Sequence, residues 1–159
     1  MNRDLLASKA NEKRKENLAF LKNPKAKTLI KQLYPLHEEV FKEVDCLQCA
    51  GCCKTISPRF RSPDIARAAK FLKMKETHFS AHFLRIDEDG DAVVKSSPCP
   101  FLGADNYCSI YEARPNDCRN YPYTDSDVFF KRPQTTLQNT YVCPAVYLML
   151  EKIKKKAGF

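Results

Sequence analysis

Residues 45–54 read DCLQCAGCCK and place four cysteines, Cys46, Cys49, Cys52 and Cys53, within eight positions. Four more follow singly, at Cys99, Cys108, Cys118 and Cys143. A Cys-x-x-Cys turn lets two thiolates converge on one ion, and Gly51, lacking a side chain, allows a tight bend beside it. Thiolates favour zinc, cuprous copper or iron–sulfur clusters over hard cations. Four sulfurs at ~2.3 Å would close a tetrahedral zinc site. Disulfides are the competing use of an even cysteine number, but they belong to oxidising compartments. Buried free cysteines account for isolated thiols, not for four in eight residues.

The spacing narrows the metal chemistry. Cys46, Cys49 and Cys52 match the first three ligands of the bacterial ferredoxin run, whose fourth cysteine would fall at Ile56. Successive side chains tend to point apart, so Cys52 and Cys53 are expected to serve two neighbouring metals or different corners of one larger cluster. Eight thiols suit two four-thiolate sites, with the partition open. Cys99 and Cys143 each precede a proline, which stiffens the chain and removes a competing N–H. Cys143 also opens a helix, where the positive end of the dipole favours a thiolate. Arg114 and Arg119 flank Cys118 and are placed to offset the charge of several thiolates.

The 159-residue chain supports a core but surrounds it with charge. The net charge is +8, and all of it lies at the ends. Residues 1–27 hold eight Lys/Arg against three Asp/Glu, and residues 151–159 hold four against one. Such ends suit solvated helix faces, or an acidic protein or nucleic-acid partner. Met1–Phe20 lacks the apolar stretch of a signal peptide, and the longest apolar run, Ala145–Leu150, is too short for a bilayer. A soluble, cytoplasmic protein without a membrane partner is expected.

Along the chain, residues 1–22 predict one charged helix. Asn23-Pro24 reads as a cap with proline in the next turn. Leu29, Ile30, Leu33, Leu36, Val40, Phe41 and Val44 have helical spacing that Pro35 should kink or split. Ser62-Pro63-Asp64 predicts a helix with a capping hydroxyl, running to about Lys73. Another helical turn spans about Glu76–Leu84. RIDEDGDAVVK predicts a hairpin turning at Asp89-Gly90, and FLGADNYCSIY a second turn between short strands. Residues after Pro122 read as irregular until Cys143. CPAVYLMLEKIKKKAG then predicts a final helix with Pro144 in its first turn, Val146, Met149, Leu150 and Ile153 inward, and Gly158 beyond its end. The expected fold is α+β: a small helix-rich single domain with short β-hairpins and irregular loops organised around a cysteine metal centre. Residues 1–44 form an N-terminal helical extension and 45–159 the cysteine-cluster domain.

Other site signals fail. The four glycines are too far apart for a P-loop or dinucleotide-binding turn. Asp87, Glu88, Asp89 and Asp91 do not fit a calcium loop, because Arg85 and Ser96 would occupy its first and twelfth positions. His78 and His82 are one turn apart, but Phe79 and Phe83 beside them point to ordinary amphipathic packing, as does the apolar stripe carrying His37.

CLQCAGCC, CPFL, CSIYEARPNDCRNYP and the closing CP together resemble the CxxCxxCC, or YkgJ-type, cysteine-cluster family, a zinc- or iron-chelating domain. The resemblance covers about Cys46 to Cys143. It implies thiolate metal binding by Cys46, Cys49, Cys52, Cys53, Cys99, Cys108, Cys118 and Cys143 in a small mixed fold. Flagellin lysine methylases carry a related cluster, which implies iron–sulfur chemistry in some relatives. Tyr111, Glu112, Arg114, Arg119 and Tyr121 match the signature; an Arg–Glu pair among them would brace the loop that carries Cys118. Three functions follow as expectations: a protein whose cysteines chelate zinc or iron, an iron–sulfur enzyme of redox chemistry or protein side-chain modification, and a zinc-stabilised module that binds partners through its basic ends.

Overall fold

Short apolar periodicities interrupted by proline and charged residues give short helices. The computed structural model describes residues 2–159. In chain order it contains α1 (Arg3–Glu12), α2 (Arg14–Lys22), a 3₁₀ segment (Ala26–Gln32), α3 (Leu33–Phe41), α4 (Cys46–Cys49), α5 (Gly51–Thr55), α6 (Ser62–Phe71) and α7 (Glu76–Phe83). The strands β1 (Leu84–Ile86) and β2 (Ala92–Val94), a 3₁₀ turn (Tyr111–Ala113), α8 (Asn116–Asn120), α9 (Val128–Lys131), α10 (Pro133–Asn139) and α11 (Pro144–Lys156) complete it. Helices with one antiparallel hairpin make the α+β class expected from the sequence. The chain divides into two compact units: Met1–Asp45 with Pro122–Phe159, and Cys46–Tyr121.

The first unit is built on α11. Pro144 stands at its start, where a missing N–H costs nothing, and Gly158 takes a left-handed φ of 69° just past its end. Ala145, Val146, Met149, Leu150 and Ile153 are buried against Phe20, Leu21, Leu33, Leu36, Val40, Phe129, Phe130 and Leu137. The expected first helix breaks at Lys13. The break lets α1 bury Leu6 and Ala10 against Tyr147 while α2 buries Phe20 and Leu21 in the larger core. Asn23 is not the cap of the 3₁₀ segment, whose N-cap residue is Lys25; its side chain accepts the Lys25 N–H at 2.9 Å in the turn before it. Pro35 sits in the first turn of α3, so the stretch divides at Leu33 without losing a helical bond.

Two readings are corrected here. The stretch after Pro122 is not irregular: α9 and α10 form, and bury Phe129, Phe130, Thr136 and Leu137. These helices are too short to show a period; Pro133 at the start of α10 was their one local sign. The C-terminal lysines are not all solvated. Lys154 is 3% exposed, and its ammonium donates to Glu16 Oε1 at 2.5 Å and Asn17 Oδ1 at 2.6 Å, with Glu151 Oε1 at 2.7 Å. Two hydrogen bonds and an ion pair with Glu151 surround the ammonium, the condition for burying a lysine. Lys152 pairs with Glu39 and Glu43, and Lys13 with Glu151.

The second unit has its own aromatic core of Phe60, Phe79 and Phe101 with Leu84, Val94 and Ile110. The Phe79 and Phe101 rings stack with centroids 5.9 Å apart. The hairpin forms where expected, with Leu84 opposite Val94 and Ile86 opposite Ala92. Its turn holds Gly90 at φ 81°, and Asp87 accepts the N–H groups of Asp89 and Asp91. FLGADNYCSIY forms only one bridge, Leu102 to Cys108, rather than a second pair of strands. The α6 start also differs: Arg61 is the cap residue, Ser62 is already helical, and the Asp64 carboxylate accepts the Arg61 N–H at 3.0 Å. No helix among the described residues is long and apolar enough to cross a membrane.

Leu150→Ala should destabilise the first unit by about 2–5 kcal/mol, because Leu150 is fully buried in its core. Chemical denaturation of the variant checks this, and an unchanged midpoint would contradict the assigned core.

Candidate metal centre

The vicinal cysteines sit on α5, one sharp bend after α4. The bend falls on Ala50, whose φ of 45° and ψ of 23° are left-handed, rather than on Gly51, which begins α5. This conformation costs a residue with a Cβ about 1–2 kcal/mol. Ala50 is held there by its N–H to Cys46 O at 2.8 Å and by the Lys54 N–H to its own carbonyl at 3.0 Å, with its methyl buried.

The sulfurs of Cys52 and Cys53 lie 3.9 Å apart. The edge of a tetrahedron with ~2.3 Å metal–sulfur bonds is ~3.8 Å, so this pair spans one edge of such a site. The expectation that these adjacent side chains point apart does not hold for this pair. Consecutive residues on a helix are turned by about 100°, not by the half-turn of a strand, and their side chains can lean together.

The downstream cysteines reach this pair through backbone bonds. Cys99 N–H donates to Cys53 O at 2.8 Å, and Ser97 Oγ to Lys54 O at 2.9 Å. Asn106 Nδ2 reaches Gln48 O at 3.3 Å, tying the loop before Cys108 to α4. Cys99 and Cys108 pack on the aromatic core, and α8 carries Cys118.

Cys53, Cys99, Cys108 and Cys118 lie within electrostatic reach of one another. The Cys53 thiol is pulled down to about 7, chiefly by its hydrogen bond with Cys52, against burial and with help from the Lys54 ammonium. Burial, with a smaller contribution from the neighbouring sulfurs, pushes Cys99 up to about 11 and Cys118 up to about 12. Burial also raises Cys108; there Cys53 adds to the rise and Arg114 opposes it. The Arg114 charge thus acts on Cys108, while the charges that most affect Cys118 are the other thiolates and Asp117.

Cys46 is exposed at the start of α4, and Cys49 is half-buried at its end. Cys143 belongs to the other unit, where it is the N-cap residue of α11 and packs on that unit's core. His78 and His82 are exposed on α7, while Phe79 between them is buried. His37 Nδ1 lies 2.8 Å from Thr124 Oγ1 and its ring packs on Phe41.

The segment after Cys108 is laced by guanidinium groups. Arg114 lies 3.7 Å over the Tyr111 ring and donates to Tyr111 O at 2.7 Å. Arg119 donates to Arg114 O at 3.1 Å and to Glu112 O at 2.5 Å. The arginine therefore meets Glu112 through its carbonyl oxygen rather than its carboxylate. Tyr121 closes α8, its N–H bonded to Asp117 O at 3.0 Å. Reading the sequence missed the part played by α6. Buried Asp64 accepts the Asn116 N–H at 3.1 Å, and Arg67 donates to Arg114 O at 2.9 Å. The early acid in SPD was visible, but its long-range partners had no local signal.

The donor set is soft, partly buried and mutually repulsive once ionised, which fits a thiophilic cation. It is gathered rather than closed: among the described residues no group of three or more His, Cys, Asp or Glu side chains is arranged to hold a metal ion. Residues 45–144 match the family model CxxCxxCC, described as "Putative zinc- or iron-chelating domain". No curated protein and no solved structure matches the chain.

In reduced, metal-free protein at ~pH 7.5, limiting iodoacetamide should label Cys53 well before Cys99 and Cys118, because only the thiolate attacks. Peptide mass spectrometry reads the order, and equal labelling of the three would contradict the electrostatics described.

Proposed function

The chain belongs to the CxxCxxCC family, and on that premise we propose that it is a metal-binding protein whose unit Cys46–Tyr121 holds zinc or iron on thiolates. The observation that carries this reading is the meeting of separate segments at Cys53: the Cys52 sulfur lies 3.9 Å from its own, the Cys99 N–H donates to its carbonyl at 2.8 Å, and Cys108 and Cys118 lie within its electrostatic reach. Without a cation the buried members stay protonated. When bound, the ion supplies the positive charge that lets them ionise together.

Cys52 joins Cys53 as a candidate ligand, and the 3.9 Å between their sulfurs favours two thiolates on one ion. A single zinc or ferrous ion meets that condition, as does one iron of a two-iron cluster, which takes two thiolates per iron. A four-iron cluster takes one thiolate per iron and fits the pair less well. Cys46 and Cys49 are the outer thiols of the same unit. Tyr111, Glu112, Arg114, Arg119 and Tyr121 brace the segment between Cys108 and Cys118.

The role is structural in this reading. A thiolate zinc site contributes ~10–16 kcal/mol of apparent folding energy in small domains, as much as a whole domain's net stability of about 5–15 kcal/mol. The alternative of an iron–sulfur enzyme needs a labile cluster with an exchangeable position. Docking through basic ends is weakened because Lys13, Lys152 and Lys154 are already paired with glutamates.

Protein purified without oxygen should contain zinc or iron, and Cys53→Ser should lose most of it and lower the melting temperature. Metal analysis with acid-labile sulfide separates a lone ion from a cluster. Metal-free preparations, or a Cys53→Ser protein of full metal content and unchanged melting, would count against the proposal.

A further inference from the structure

We infer that buried Asp64 and its ion-pair partner Arg67 on α6 position Cys118 for the ion, an assignment that rests on the metal-binding reading above. Asp64 is 1% exposed, and it joins three parts of the unit. Its Oδ2 accepts the Arg61 N–H at 3.0 Å, closing the first turn of α6. Its Oδ1 accepts Arg67 Nη2 at 2.6 Å and the Asn116 N–H at 3.1 Å.

Asn116 begins α8 two residues before Cys118. Pro115 before it has no N–H, so the Asn116 amide is the first donor of a helix end that needs an acceptor. The same Arg67 nitrogen reaches Arg114 O at 2.9 Å, and Arg119 shares that carbonyl at 3.1 Å. The segment 114–116, just ahead of Cys118, is thus tied at both ends to a helix whose Ala68 and Ala69 are buried in the aromatic core.

Such a tie matters because α8 is short, with five residues and none of them buried. It has too little apolar contact to fix its own position. Its register against Cys53 and Cys99 is set by the carboxylate and guanidinium beneath it. Asp64 and Arg67 are accordingly positioning residues that act through Cys118. Outer partners of this kind are worth roughly 10–100-fold in metal affinity.

Titration of the full chain with cobalt(II) tests this, since thiolate-to-cobalt charge-transfer absorbance per bound ion reports how many thiolates ligate. Asp64→Asn should weaken cobalt binding roughly 10–100-fold and lower that absorbance as much as Cys118→Ser does. The double variant should be no worse than Cys118→Ser alone, because residues acting as a unit are not additive. Arg67→Lys, which keeps the charge but loses the shared bond to Arg114 O, should fall between and serves if circular dichroism shows Asp64→Asn unfolded. Wild-type absorbance and affinity in the Asp64 and Arg67 variants, or fully additive losses in the double variant, would overturn the assignment. A wild-type chain that binds no cobalt would overturn the metal-binding reading itself, and this assignment with it.

Discussion

Burial and ionisation oppose each other at Cys53, Cys99, Cys108 and Cys118. Each sulfur taken out of water favours its neutral form, and each thiolate formed makes the next harder to form. The chain nevertheless draws the four together from segments up to 65 residues apart, as the numbering from Cys53 to Cys118 gives. A soft cation, as proposed for this unit, would resolve the conflict by attracting every thiolate at once. Cys53 alone is already biased toward ionisation, by the hydrogen bond from its neighbour Cys52.

The scaffold that presents these sulfurs depends little on regular structure. Phe60, Phe79 and Phe101 supply the buried area, and the hairpin closes one side of it. The cysteine-bearing pieces are short helices and loops held by a few hydrogen bonds, among them Cys99 to Cys53 O, Asn106 to Gln48 O and Asn116 to Asp64. Ala50 adds a left-handed bend that an L-residue adopts only under such restraint. A site assembled this way gathers its sulfurs through backbone and side-chain ties between segments rather than through one regular element.

The other unit answers a different problem, an excess of lysine at both chain ends. Instead of projecting all of it into solvent, α11 turns Lys154 inward onto Glu16, Asn17 and Glu151, and Lys152 onto Glu39 and Glu43. Charge that looks free in a linear count is partly neutralised by folding.

Local chemistry was legible in the sequence wherever one residue type acts by itself. The cysteine spacing pointed to metal, Pro144 and Gly158 bounded α11, Asp89-Gly90 marked the hairpin turn, and the stripe from Val146 to Ile153 named one core. Tertiary structure alone decided the rest: that Cys52 and Cys53 lean together, that the left-handed bend is at Ala50, that α9 and α10 form, and that Asp64 reaches Asn116. The physical reason is range. Caps, turns and periodicity act over a few residues and leave a mark in the string of letters. Rotamer choice, backbone strain and hydrogen bonds across fifty residues depend on neighbours that only the folded chain supplies.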